Sequence, residues 1–281
     1  MLLRRIQSQL RTKFIFSISS EIHNFASLEN SLFTDADMPE NILYIVLLAA
    51  GASFVQRTTG FGFGIFIMTV LPFLMPSYAE AVTLSGVLSL TSSTVVMIKY
   101  LKCVSWKRLL PILATFFVMS SVAIFMLEKI EGRTMRIILA IILILISLYF
   151  SFFKEKLQKL IRPTIGWSLG AGTVSGVMGG LFGMQGPPVV LYLINSESDK
   201  NHYMGIIQTY AVATNVIMLA VRAYNGYLTA AVGSAYIYSL GGLAVGVIAG
   251  NLAFRLLSDR VFTYIVYAYI GISGLIILLT S

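Results

Sequence analysis

Two glycine clusters interrupt an otherwise apolar chain, and they are where chemistry could be placed. The first reads Thr59-Gly60-Phe61-Gly62-Phe63-Gly64; the second reads Gly179-Gly180-Leu181-Phe182-Gly183-Met184-Gln185-Gly186-Pro187-Pro188. Glycine inside a helix costs about 1 kcal/mol relative to alanine, so neither cluster propagates a helix well. Pro187 suits the first position of a new helix, where no N–H is needed. A helix that starts near Gly186 points unpaired N–H groups and its positive dipole end at whatever precedes it, which favours an anion. A helix starting near Gly62–Gly64 does the same, and two such ends facing each other would make an anion site.

Arg57 stands three residues before the first cluster, inside an apolar segment. A cation at membrane depth costs at least ~2.5–3.5 kcal/mol on insertion scales, so it needs a partner. Two readings follow: Arg57 holds a substrate anion, or it pairs structurally with carbonyls or with Glu80. Gln56, Thr58 and Thr59 beside it offer neutral hydrogen bonds. Further along, Ser85, Ser89, Ser92 and Ser93 recur at helical spacing, and Gln208, Thr214 and Asn215 occupy a related stretch of the second half. These groups either line a site or tie helices together. The expected substrate-binding set is Gln56, Arg57, Thr59, Gly60, Gly62, Gly64, Ser93, Gly183, Gln185, Gly186, Pro187, Thr214 and Asn215. Other glycines, at spacing four, read as close-packing positions: Gly166, Gly170, Gly172, Gly176 and Gly180, and Gly242, Gly246 and Gly250.

The residue inventory gives an enzyme little to work with. The two histidines are His23 and His202, the one cysteine is Cys103, and there is no His-Glu-x-x-His zinc pattern. Neither a Gly-x-Ser-x-Gly turn nor a Walker-type phosphate loop occurs, and no catalytic residue, metal or cofactor is expected. An anion channel and a membrane-embedded small-molecule sensor stand as alternatives to a carrier.

The elements that must position these residues are membrane helices. Of the 281 residues, 57% are hydrophobic and 11% charged. A soluble domain carries about 25% charged residues. The basic residues lie in short loops, such as Lys99, Lys102, Lys107 and Arg108, which the positive-inside rule explains better than a nucleic-acid partner does. Apolar runs fall roughly at 41–59, 61–75, 80–99, 106–127 and 134–153, then at 163–182, 187–195, 202–222, 228–255 and 260–280. All should be helical, because lipid-exposed backbone must satisfy its own hydrogen bonds.

The ten runs form two sets of five, 41–153 and 163–281, joined by the basic linker 154–162. A shift of 121 positions superposes Phe61-Gly62 on Phe182-Gly183, Met97 on Met218 and Trp106 on Tyr227. Residues 187–195 would span only about 14 Å against a core of ~30 Å. Each opening pair therefore reads as a glycine-broken hairpin that enters and leaves on one side. Three spans remain per half, an odd number, so the repeats should be inverted, as in many transporters. With Lys99–Arg108 in the cytoplasm, the inner loops hold eleven Lys and Arg residues and the outer ones four: Lys129, Arg133, Arg136 and Arg222. That places 154–162 inside and the C-terminus outside. Residues 1–40 read as a mobile tail, with Met38 as an alternative start.

The stretches 56–64 and 179–188 resemble the two signatures of the sulfite exporter TauE/SafE family, in the right order, and the resemblance covers roughly 41–280. It implies a multi-pass permease for sulfite, sulfonates or related organosulfur anions in a prokaryotic-type plasma membrane. The expected partners are the lipid bilayer and a small anion, with homo-oligomerisation left open. The substrate role of Arg57 comes from its position and not from the resemblance.

Overall fold

The computed structural model describes residues 41–127, 129–149, 161–196, 199–256 and 270–279, except for a few side chains within helices, Thr58 and Thr59 among them. The tail 1–40 with its alternative start, and linker residues 154–160, lie outside the described residues. The helices belong to one compact unit, Pro39–Ser281. In order they are α1 (Ile42–Thr59), α2 (Phe63–Ile67), α3 (Leu71–Leu74), α4 (Tyr78–Tyr100), a 3-10 turn (Leu101–Cys103), α5 (Trp106–Leu127), α6 (Gly132–Leu148), α7 (Ile165–Phe182), α8 (Gly186–Ser196), α9 (Lys200–Tyr224) and α10 (Ala230–Leu256). A last helix, α11, covers Ile270–Leu279. Among the described residues there is no strand, as the apolar runs require.

Among the described residues four helical stretches are long and apolar enough to cross a membrane: Tyr78–Cys103, Trp106–Leu127, Asn201–Tyr224 and Ala230–Gly250. The expected spans 134–153 and 260–280 are described only in part, as α6 and α11. The expected segment 61–75 is not one helix. It is two short pieces, α2 and α3, with the chain irregular around Thr69 and Val70, and its counterpart α8 is a continuous 11-residue helix.

Glycine ends both opening helices. Gly60 closes α1 at φ 81° and Gly183 closes α7 at φ 68°, the left-handed region that a side chain disfavours. Their amides reach back to Gln56 O at 2.8 Å and Gly179 O at 3.0 Å. The separation of these two caps is two positions longer than the 121-residue shift, because the sequence alignment equated Gly62, rather than Gly60, with Gly183. The long helices that follow each hairpin start on side-chain caps: Ser77 accepts from the Glu80 amide at 3.2 Å, and Asp199 accepts from the His202 amide at 2.8 Å.

Small residues set the packing. A Cβ added to Gly172, Gly176 or Gly180 of α7 would come within 2.9 Å of α5, at Ile112, Phe116, Met119, Ser120 or Ala123. Likewise Gly242, Gly246 and Gly250 of α10 lie against Val46, Ala50, Phe54 and Arg57 of α1. Matching steps of four make α7 run parallel to α5, and α1 parallel to α10, at backbone contact. Gly166 and Gly170 differ from the expectation: no atom lies within 4 Å of an added Cβ there. α4 packs along α9 at the centre. The outward faces of α5 and α10 stay apolar, with Leu110, Phe117, Phe125, Val245, Ile248 and Leu252 exposed, as a lipid-facing surface requires.

Candidate functional site

The two glycine breaks touch. A Cβ on Gly64 would sit 2.0 Å from the carbonyl oxygen of Gly183, so only glycine lets the backbones meet there. The crossing lies level with Ser89 and with Tyr210–Ala211, near the middles of α4 and α9. A small cavity of about 40 Å³ opens at it, walled by both breaks and by Gln56, Ser89, Gln185, Pro187 and Tyr210. That volume suits water-sized occupants, so in this conformation the crossing is tightly closed.

Of the residues expected from sequence, the structure brings Gln56, Gly60, Gly62, Gly64, Gly183, Gln185, Gly186 and Pro187 to this one cavity. Ser93 and Asn215 stand behind it. Gln56 Nε2 donates to Ser93 Oγ at 2.9 Å. Gln185 Nε2 donates to Asn215 Oδ1 at 3.2 Å, and Asn215 Nδ2 donates to Ser89 Oγ at 3.2 Å. This chain of amides and hydroxyls links the second break, α9 and α4 at the crossing. Thr214 is buried, but its hydroxyl turns back to the Tyr210 carbonyl at 2.8 Å and away from the cavity. The side chain of Thr59 lies outside the described residues.

The picture of two facing helix ends needs correction. α2 has five residues, too few for a substantial dipole. At α8, Pro187 and Pro188 carry no N–H, so of its first four residues only Gly186 and Val189 supply backbone donors. The side-chain amides of Gln56 and Gln185 therefore supply much of the neutral polarity at the crossing.

Arg57 lies elsewhere. It lines a larger neighbouring cavity of about 190 Å³ with Gln56, Ser92, Val95, Val96, Lys99, Met204, Gln208 and Val247. Pairing with Glu80 does not occur. The Glu80 carboxylate takes hydrogen bonds from Ser77 Oγ at 2.8 Å and Thr229 Oγ1 at 2.7 Å. Glu80 heads α4, whereas the Arg57 cavity meets α4 at Ser92–Lys99, about 18–28 Å further along the helix at 1.5 Å per residue.

Sequence reasoning placed Arg222 in an outer loop; the structure buries it completely, in the last turn of α9. Its guanidinium donates to the carbonyls of Val82 at 3.2 Å, Gly179 at 3.0 Å and Gly180 at 3.1 Å. Arg222 thus binds the exposed C-terminal carbonyls of α7 just before the second break, where a cation also meets the negative end of the dipole. The missed signal was its place at the very end of an apolar run. Ser175 and Tyr210 were missed too. Ser175 Oγ donates to the Gln185 carbonyl and the Tyr210 hydroxyl donates to Ser175 Oγ, fixing the backbone of the second break. Among the described residues no group of three or more His, Cys, Asp or Glu side chains gathers as a metal site would require.

A family model described as Sulfite exporter TauE/SafE matches residues 45–277. No curated protein and no solved structure matches the chain.

Proposed function

The chain belongs to the sulfite exporter TauE/SafE family, multi-pass membrane transporters of sulfur anions, and from that premise we propose that it is a permease for sulfite, a sulfonate or a related organosulfur anion. The observation that carries the reading is the contact of Gly64 with the Gly183 carbonyl, level with the middle of α4 and α9. Broken helices that meet near the midplane are a recurring way to build an ion or substrate site. The cavity there sets the amides of Gln56 and Gln185, the hydroxyls of Ser89 and Tyr210 and the glycine backbone into an otherwise apolar wall, with no carboxylate among its lining residues to repel an anion.

An inverted repeat, 41–153 against 163–281, accounts for the packing. Each opening helix lies parallel to the fourth segment of the opposite half, α1 with α10 and α7 with α5, while α4 and α9 pair with each other. Exchange of the halves leaves that pattern unchanged. In this arrangement the 154–162 linker is cytoplasmic and the C-terminus external. Moving Arg222 from the outer loops to the interior strengthens the charge bias behind that orientation.

Reconstituted proteoliposomes test the reading. A carrier gives saturable sulfite or sulfonate flux with exchange between the two sides, and these anions raise the thermal stability of the purified chain. Non-saturating flux would establish a channel instead. Protection by amines of similar size, with none by anions, would remove the anion site. Labelling of a C-terminal cysteine in a Cys103→Ser background only after permeabilisation would reverse the orientation.

A further inference from the structure

The hydrogen bonds at the crossing have a direction, and it is set from one end. Asn215 Nδ2 donates to the Ala211 carbonyl at 2.8 Å. That carbonyl only accepts, so the Asn215 amide is fixed: its nitrogen also serves Ser89 Oγ at 3.2 Å, and its oxygen faces Gln185. An amide oxygen only accepts as well, so Gln185 must meet it with Nε2, at 3.2 Å.

Two groups are left over. Gln185 Oε1 takes no hydrogen bond from any described residue, yet it keeps accessible surface. Ser89 Oγ accepts from Asn215, so its own proton is spare, and no described residue takes it. Gln185 is 7% exposed and Ser89 8%, and both line the cavity of about 40 Å³ at the crossing. At ~10–15 Å³ per water, that cavity has room for about three, the size of a small oxyanion. Its lining carries no Arg, Lys, His, Asp or Glu, and its one titratable side chain, Tyr210, donates to Ser175. Arg222 approaches from behind, with Nη1 beside Gly86 and Asn215 Oδ1, and is engaged with the carbonyls of Val82, Gly179 and Gly180. Arg57 lines the neighbouring cavity. The cost of burying an ion grows with the square of its charge, so a neutral lining admits one charge far more readily than two.

We propose that the crossing selects an oxyanion carrying one proton and one negative charge, hydrogensulfite rather than sulfite, and that Gln185 and Ser89 make the selection. Gln185 Oε1 accepts the proton of the ligand, and the Ser89 hydroxyl donates to one of its bare oxygens. Asn215 is the positioning residue, because its bond to the Ala211 carbonyl turns an acceptor from Gln185 and a donor from Ser89 toward the ligand. The proposal rests on the anion-transport reading above.

The test is calorimetric binding to the purified full chain in lipid nanodiscs, with sulfite and chlorate across a range of pH. Chlorate is a pyramidal three-oxygen anion like sulfite, but it keeps a single charge and no proton throughout. Where sulfite is protonated, it should bind about tenfold more tightly than chlorate, the size of one hydrogen bond to an otherwise unpaired group. As the pH rises past the loss of that proton, the affinity for total sulfite should fall about tenfold per pH unit, while that for chlorate stays level. Gln185→Met should remove the preference, and Ser89→Ala should weaken both anions. Equal affinity of hydrogensulfite and chlorate for the wild-type chain overturns the proposal, as does a sulfite affinity that holds as the pH rises. Both are read on the wild-type chain, so neither depends on a variant folding. A preference that survives in folded Gln185→Met overturns it too. Saturable sulfite flux alongside any of these results leaves the transport reading standing. Selective binding by a chain that moves no anion would instead remove the transport reading and keep the site.

Discussion

The two glycine breaks share a cap geometry but are held differently. The second is anchored by side chains from several directions: Arg222 binds the Gly179 and Gly180 carbonyls, and Ser175, backed by Tyr210, binds the Gln185 carbonyl. A continuous helix, α8, follows it. The first break has two left-handed glycines, Gly60 and Gly62, then two short helical pieces. Among the described side chains, Gln208 donates to its Gly60 carbonyl. Gln56 and Arg57, just before it, line the larger cavity. The contrast teaches that similar sequence punctuation can lead into different backbones, a continuous helix on one side of the crossing and two short pieces on the other, because tertiary hydrogen bonds and packing, and not glycine itself, decide how an irregular backbone continues.

The largest effect that could break this comparison is at the crossing itself. Gly64→Ala forces a methyl group into the Gly183 carbonyl, backbone against backbone, and should lower stability by about 3 kcal/mol and abolish transport. Gly186→Ala meets only Phe61 at 3.7 Å, an ordinary contact, and should fold with little loss. Thermal unfolding in detergent with flux in liposomes measures both. Equal tolerance at the two positions would show that the breaks do not touch in the membrane.

Arg222 sharpens the contrast next. Arg222→Met removes the donors to three carbonyls and should cost roughly 2 kcal/mol, less than the full value of three charged hydrogen bonds because a buried cation is removed with them. Arg222→Lys should recover little, since one ammonium lacks the planar fork that spans α4 and α7. Full stability and flux in Arg222→Met would mean that the second break needs no anchor.

The smallest effect separates packing glycines from idle ones. Gly172→Ala collides with the Ile112 carbonyl and Thr115 and should destabilise by about 1–3 kcal/mol. Gly170→Ala finds open space and should be neutral or stabilise by up to about 1 kcal/mol through helix propensity. The order of the two melting temperatures is the readout, and a reversed order would contradict the α5–α7 seam.

Much of the fold was legible because lipid imposes simple rules. Apolar runs of span length must be helices, and glycine followed by proline must end one helix and start another. That reasoning found both breaks, the bounds of α1, α4 and α5 to within about two residues, and half of the residues around the central cavity. It missed the burial of Arg222. Position along a chain gives depth only roughly, and the partners of this buried cation are backbone carbonyls, which every residue carries and no sequence pattern marks. The hydroxyl of Thr214 was equally illegible, since a hydroxyl on a helix can bond its own preceding turn.

The sequence by itself determined the solvent of this protein, its helical class and the places of its two glycine breaks, because those follow from composition and from the backbone limits of glycine and proline. Only the tertiary structure decided that Gly64 meets Gly183, that Arg57 lines a cavity beside the crossing, and that Arg222 braces the second break. Those contacts join residues more than a hundred positions apart or on different helices, and they are set by how closely small residues let helices approach, which no local stretch of sequence encodes.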